Sequence, residues 1–418
     1  MLNRRLILLY IFMSIIHGQS SLNALGYGNF SNKFHASSIS IGSSGVLSTF
    51  KENISLHNPS TWHNLPFAVL TTSVNYDQGL IENNDSAFFN LSSTSLIVPW
   101  RQKLSFGLGF SPLFSRDIIF EDLTNDQFIF TDNDTLNYRR KIISSGGASL
   151  AKFSLGYKIN EIQSLGFEYG TVLGSSRKSN NLIINDVNHF LQERDYFSGG
   201  IVSFFYTQLL ENSIGIPITL NTFVSKSLKD IGVENEAYQS FIDLNGNSYH
   251  DSSDFPDLGQ ALLPIKRFSS SEMSIEEFGI SFDYKDENRN HFMLELYNWN
   301  DTGDHIFSSS IIDSYIESFS KLNIGFVRFG IPYTDDRYDY KAGIFLGDYD
   351  LKNVDNVKEI GIGLGIGIQF GLTNNQIDIS YNYIKRNNLE FINGNETIQS
   401  FSIGLSLGDL WFVKRREM

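Results

Sequence analysis

Cysteine is absent from the 418 residues of this chain. That excludes disulfides, thiolate nucleophiles, cysteine-based zinc or iron–sulfur centres and a cysteine-linked lipid anchor. Charge is scarce. Asp, Glu, Lys and Arg make up 19% of the residues, below the ~25% of ordinary soluble domains. The charge that is present leans acidic, −14 net, which argues against nucleic acid as a partner because phosphate binding needs a basic surface. Long apolar runs are missing too. Leu6–Ile16 covers 11 residues, too few to span a bilayer as a helix. With Arg4 and Arg5 before it and His17-Gly-Gln-Ser20 after it, it reads as a secretory signal peptide over residues 1–20, cleaved near Gly18 to Ser21. None of His35, His57, His63, His189, His250, His291 and His305 sits in a zinc or nucleophile motif, so the chain is read as a non-enzyme without a required cofactor.

What is plentiful is aromatic residues and glycine: 35 Phe, 19 Tyr and 34 Gly. Their placement is clearest near the C-terminus. Ile360, Ile362, Leu364, Ile366, Ile368 and Phe370 alternate with Gly361, Gly363, Gly365, Gly367 and Gln369. Ile377, Ile379, Tyr381 and Tyr383 alternate with Asp378, Ser380 and Asn382, and Phe401, Ile403, Leu405 and Leu407 with small polar residues. A period of two means strands with one greasy face and one small or polar face. A soluble sandwich would put charge and bulk on its second face. Gly, Ser and Asn there suit the inside of a membrane barrel, and about ten residues per strand suffice to cross a bilayer. The Gly361–Gly367 run is not a phosphate loop, because no G-x-G-x-x-G spacing or helix accompanies it. It leaves room for a plug or another backbone.

Fourteen strands are expected, near 66–77, 86–98, 103–115, 145–159, 163–174, 195–208, 213–226, 274–285, 290–300, 318–331, 337–348, 358–371, 376–386 and 396–410. Lipid-facing sets include Leu104, Phe106, Leu108 and Phe110; Ile214, Ile216, Ile218 and Leu220; and Phe278, Ile280, Phe282 and Tyr284. Short links alternate with longer ones, the longest near 116–144, 175–194, 227–273 and 301–317. That asymmetry is expected of periplasmic turns and outer loops. The fold class is therefore all-β: a transmembrane antiparallel β-barrel of about 14 strands with an N-terminal plug segment. Residues 21–65 would form a plug inside the barrel or a periplasmic arm, 66–413 the barrel, and 414–418 a basic periplasmic tail. The localisation expected is the bacterial outer membrane, among lipid and lipopolysaccharide. Trp411 would sit at headgroup level and Lys414, Arg415 and Arg416 in water.

From Asn58-Pro59-Ser60 onward the chain resembles the FadL family of outer-membrane long-chain fatty acid and hydrocarbon transporters. Ser40–Leu47 and Ile54–Ser60 are similar to that family's Gly-rich plug and its Asn-Pro-Ala element, with Ser60 in place of Ala. The ending Trp411-Phe-Val-Lys-Arg415 is more similar to FadL-related barrels of Bacteroidota-type bacteria, which include a component of a gliding-associated secretion system. The resemblance implies plug-gated lateral diffusion of a hydrophobic small molecule through a wall gap beside a kinked third strand. Gly107, Gly109 and Pro112 fall in the third strand here, where they would kink it or, in the case of Pro112, simply end it at the rim. The other function class is a docking scaffold for secreted or surface proteins. An apolar lining between Asn23, Trp62 and the lumen would favour transport, and a polar, filled lumen the scaffold.

Two constellations carry chemistry. Asp243, Asn245, Asn247, Asp251 and Asp254, with the Tyr249 carbonyl, have EF-hand spacing, with Ser248 where glycine is usual. They would hold Ca²⁺ in an outer loop or form a solvated acidic loop. Inward-facing Glu168, Asp283, Glu295 and Asp378 would pair with basic partners or bind water inside the barrel wall, or serve a substrate or ion.

Overall fold

The computed structural model describes residues 20–26, 28–30, 34–81, 84–121, 127–130, 135–184, 187–211, 215–238, 240–247, 250–257, 266–304, 314–353, 355–371, 375–389 and 394–409. The expected leader, Ile214, Ser248, Tyr249 and the Trp411 ending lie outside them.

Antiparallel pairing runs through one sheet. Its segments are β1 (Asn29–Phe30), β2 (Ala68–Ile81), β3 (Asn84–Trp100), β4 (Leu104–Ser115), β5 (Ile118–Glu121), β6 (Gln127–Phe130), β7 (Thr135–Lys158), β8 (Gln163–Ile184), β9 (Val187–Leu209), β10 (Ile218–Ala237), β11 (Phe241–Asp243), β12 (Lys266–Met273), β13 (Ile275–Lys285), β14 (Asn290–Asp301), β15 (Ile316–Arg328), β16 (Tyr338–Leu351), β17 (Val357–Phe370), β18 (Asn375–Leu389) and β19 (Gly394–Asp409). β4, β5 and β6 follow one another along β7, β10 and β11 along β9, and β12 and β13 along β10. The wall thus has 14 strands, closed where β19 pairs with β2 from Asp409↔Ala68 to Glu396↔Ile81.

Each of the fourteen expected strands is present, but several run further. β7, β8 and β9 have 24, 22 and 23 residues. At ~3.3 Å per residue they are roughly 75 Å long, more than twice a bilayer's apolar core. The expected long loop over 175–194 is instead the continuation of the β8–β9 ladder, paired up to Ile184↔Val187. The expectation failed for a physical reason. Outside lipid neither face of a strand needs an apolar row, so Ser175–Asn181 lost the alternation without losing the strand. The strand expected at 213–226 begins at Ile218 and runs to Ala237, leaving exposed Ile216 before it.

The apolar set also changes face along the barrel. On β16, Tyr340, Ile344 and Leu346 point outward and are exposed, while Tyr349 and Leu351 further up are buried inside. β14 and β17 repeat this, with Phe292, Leu294 and Leu296 outside but Trp299 inside, and Ile360, Ile362 and Leu364 outside but Val357 inside. At lipid level the greasy face looks out. Above it, toward the end away from the short turns, the outside meets water and the lumen carries an apolar core instead. Leu22 and Leu25 pack into that core with Ile231, Val233, Trp299 and Leu351.

Residues 34–65 fill the lumen below that core, toward the end with the short turns. The fit is backbone against backbone. Gly325, Gly343 and Gly363 pair side by side across β15, β16 and β17. A Cβ on Gly343 would sit 2.2 Å from the Ile41 carbonyl oxygen, and one on Gly363 2.5 Å from that of Ser40. The next residue in the row, Asn382, donates its amide to Ile39 O at 2.9 Å. The alternating glycines are therefore a flat seat for the turn Ser38–Ser43. Gly42, at φ +72°, adopts the left-handed backbone that glycine tolerates, pressed against Phe345.

Candidate functional site: a luminal cavity beside a broken strand ladder

The third wall strand is where the barrel departs from regularity. β3 pairs with β4 only from Trp100↔Leu104 to Thr94↔Phe110. Above that point β3 continues along β2 alone, with a register slip at Ser73/Val74 that leaves Ser92 as the extra residue. On the other side of the break, β4 stays on β7 through a slip between Pro112 and Phe114. Pro112 lacks the N–H that a continuing ladder on β3 would require. The vacated edge of β4 is taken by β1, pairing Asn29↔Ser115 and Phe30↔Phe114. Phe30 lies 3.9 Å from the Trp299 ring and edge-on to Phe114 at 6.0 Å, centroid to centroid. Pro112 therefore sits at a bulge within β4, three residues before its end, rather than at the rim.

A cavity of about 150 Å³ lies between this break and the N-terminal segment. Its walls include Phe30, Phe34, Phe88, Trp299, Phe319, Phe345, Ile384 and Ile398, and its floor Ile39, Gly42, Ser43 and Ser44. Phe88 and Asn90 belong to the stretch of β3 that does not pair with β4, and Asn29 and Ser115 to the opposite edge, so the cavity touches both lips of the break. One side is polar. Arg386 Nε donates to Glu359 at 2.8 Å and its Nη1 to Glu396 at 3.1 Å, and Tyr349 donates to Glu359 at 3.2 Å. Sequence reasoning missed this lining. Its aromatic residues come from five strands and the bend at Phe34 and share no motif, and Trp299, Phe319 and Tyr349 lie where the apolar set has moved inside.

Asn58-Pro59-Ser60 lies elsewhere, at the short-turn end. Asn58 Oδ1 accepts Ser60 N–H at 3.1 Å and the Ser60 hydroxyl at 2.6 Å, capping the turn Pro59–Asn64. Asn58 Nδ2 reaches Thr207 at 3.3 Å, and the Ser60 and Thr207 hydroxyls are 2.6 Å apart. The serine thus ties the segment to β9. Gly156 and Gly166 leave room for the Pro59 carbonyl and the Ser60 N–H, and Gly107 for the Trp62 ring, whereas Gly109 has only ordinary contacts. Trp62 packs with Phe50, Leu56 and Ile97, away from the cavity.

The four acidic residues singled out in the lumen all have partners. Glu168 is 3.2 Å from Lys152 and accepts from Ser154. Glu295 accepts the Ser44 N–H at 3.1 Å with each oxygen. Asp378 lies 2.6 Å from Lys341. Asp283 is 2.8 Å from His291 Nδ1, and His291 Nε2 has no hydrogen-bond partner among the described residues. In the outer loop, Asp251 accepts from the Ser253 hydroxyl and N–H and from the Asn245 and Asn247 amides, which hold its carboxyl well below the usual carboxylate range. Asp254 accepts from Leu244 N–H and Asp251 N–H, and Asp243 from Gly246 N–H. Among the described residues no three His, Asp or Glu side chains are arranged to hold a metal ion.

A family model described as BamG matches residues 1–417. The chain belongs to the BamG family. No curated protein matches it. Among solved structures this BamG-family barrel is similar to a Pseudomonas aeruginosa FadL homologue, at TM-score 0.57 and 13% identity over 90% of this chain and 98% of the other. It is also similar to the CymD monoaromatic hydrocarbon channel, at TM-score 0.53 and 12% identity over 94% and 99%. At such identities the likeness shows the fold, a FadL-like outer-membrane barrel.

Proposed function

We propose that this BamG-family barrel passes a hydrophobic small molecule across the bacterial outer membrane, with the N-terminal segment as plug and the break between β3 and β4 as the side exit. One observation carries the reading: the aromatic-lined cavity touches both lips of that break. Its volume is near that of apolar cavities that hold one benzene ring, about 150 Å³. Straight passage toward the short-turn end is filled by residues 34–65, so a molecule in the cavity has its shortest route to lipid past Phe30. In this reading the short turns face the periplasm and the long β7–β9 ladder faces outward. Uptake of a one-ring hydrocarbon into proteoliposomes tests it. Phe30→Ala should speed uptake, and Ile398→Trp, which fills the cavity, should slow it. Equal rates for wild type, both variants and protein-free vesicles would end the proposal.

The second reading is a docking component among outer-membrane proteins, on the periphery of their assembly. Two observations favour it: the whole-chain family match, whose designation points to outer-membrane assembly, and the long β7–β9 extension. It expects a defined protein partner to be lost when that extension is shortened, with hydrocarbon uptake unchanged. The assignment to Bacteroidota-type barrels, drawn from the Trp411–Arg415 ending, belongs to this proposal, as do outer-leaflet lipopolysaccharide contact and Ca²⁺ in the outer loop. For Ca²⁺, Asn245 and Asn247 would turn their carbonyl oxygens toward the ion beside Asp243, Asp251 and Asp254.

A further inference from the structure

The N-terminal arm reaches the top of the lumen and ends there in an unusual contact. Ser21 is buried, and its backbone N–H donates to Glu396 Oε1 at 2.8 Å while its hydroxyl donates to Oε2 at 2.9 Å. Glu396 itself is wholly buried. Its cationic neighbour, Arg386, is shared with Glu359. Lys321 acts on Glu359 and Glu295, and Arg386 on Asp77 as well, so two cations face four carboxyl groups. Burying an excess carboxylate is costly unless a further positive charge or strong donor meets it.

The sequence supplies a source for that charge. Gly18-Gln19-Ser20 has small residues at the first and third positions before Ser21, four residues past the end of the apolar run at Ile16. That is the small-x-small pattern that signal peptidases cut after.

We propose that the leader is removed between Ser20 and Ser21, and that the ammonium so formed on Ser21 is captured by Glu396 as a buried ion pair. In the cut, water adds to the Ser20 carbonyl carbon and the C–N bond breaks; Ser20 leaves as a carboxylate, and both water protons end on the Ser21 nitrogen. The nitrogen that becomes charged is the one already facing Glu396. The arm loses the contacts of Ser20, which are Arg386 Nη1 and the Leu22 N–H to its hydroxyl at 2.8 and 3.3 Å and the Asn23 N–H to its carbonyl at 2.9 Å, and gains two further N–H donors and a positive charge on Ser21. A positive charge is thus added where carboxyl groups outnumber cations, and only in the exported, processed chain. The same latch fixes the arm that carries Phe30 to the break in the wall. This inference stands independently of what the cavity binds.

Intact mass of the protein extracted from the outer membrane should correspond to residues 21–418. In the folded protein, reductive methylation of the Ser21 amine at neutral pH should run at least tenfold slower than in the denatured protein. In Glu396→Gln it should approach the denatured rate. Because that variant could fail to fold, the wild-type measurements decide the matter alone. A mature chain starting at any other residue, or a Ser21 amine equally reactive folded and unfolded, overturns the proposal.

Discussion

Gly343→Ala tests the seat of the N-terminal segment with one methyl group. In an empty barrel this change would help, since glycine in a strand interior costs roughly 0.5–1 kcal/mol relative to alanine. Here the new Cβ would fall 2.2 Å from the Ile41 carbonyl oxygen and 2.7 Å from its carbonyl carbon. Bringing 2.2 Å up to the 3.0 Å floor of real contacts requires the Ile41 backbone to withdraw by about 0.8 Å. It cannot do so freely, because Asn382 and the Gly325 and Gly363 seats hold the same turn. Overpacking of this kind costs about 1–3 kcal/mol. At ~2 kcal/mol, displacement of the turn becomes roughly thirtyfold more populated, at one decade per 1.36 kcal/mol. The wall ladder is untouched, since Gly343 pairs through its backbone with Gly325 and Gly363. The assay is single-channel recording in planar bilayers, with thermal gel shift as the control for an intact barrel. Frequent open events with an unchanged melting profile are expected. A variant as silent as wild type, with equal or higher stability, would refute the backbone-on-backbone seat.

Other consequences are as specific. Ser60→Ala restores the Asn-Pro-Ala form of the related family but removes hydroxyl contacts to Asn58 and Thr207. It should cost about 1 kcal/mol, read as a lower midpoint in thermal gel shift. At the short-turn end, hydrogen bonding by Arg289, helped by Arg328, holds the Asp336 carboxyl below its usual 3.8. A carboxyl depressed in the folded state stabilises above its unfolded value and loses that contribution as pH falls through the folded one. Hydrogen exchange of residues 330–337 should therefore stay slow at pH 5 and quicken only below about pH 4, an onset that Arg289→Ala removes. In the outer loop, terbium luminescence competed by Ca²⁺ should report a site of ~10⁻⁴–10⁻³ M, lost in Asp251→Asn. An unchanged signal in that variant would leave the loop as the hydrogen-bonded structure described.

The barrel was legible because lipid imposes a rule on every second residue. Rows such as Ile360–Phe370 and Phe278–Tyr284 could satisfy it in only one way. The glycine row was legible as a space for backbone, and Ser40 and Ile41 occupy it. Legibility ended where lipid ends. Above it, Trp299, Tyr349 and Val357 carry the apolar set to the inner face, and the polar stretch Ser175–Asn181 still forms strand. Local sequence does not report which solvent lies outside. The cavity was hidden for a related reason: Phe30, Phe88, Trp299 and Phe345 meet only through closure of the whole barrel. Gly107, Gly109 and Pro112 marked the irregular strand, but only the pairing shows that the break lies above Phe110 and that β1 fills the vacated edge.

Whether the luminal cavity holds a hydrophobic ligand can be read by native mass spectrometry of the detergent-purified protein, with extraction of whatever it retains. One hydrophobic small molecule per chain is expected, absent from Ile398→Trp. A ligand-free barrel, or a retained molecule indifferent to filling the cavity, would contradict the proposed transport, and a stoichiometric protein partner in its place would favour the docking role.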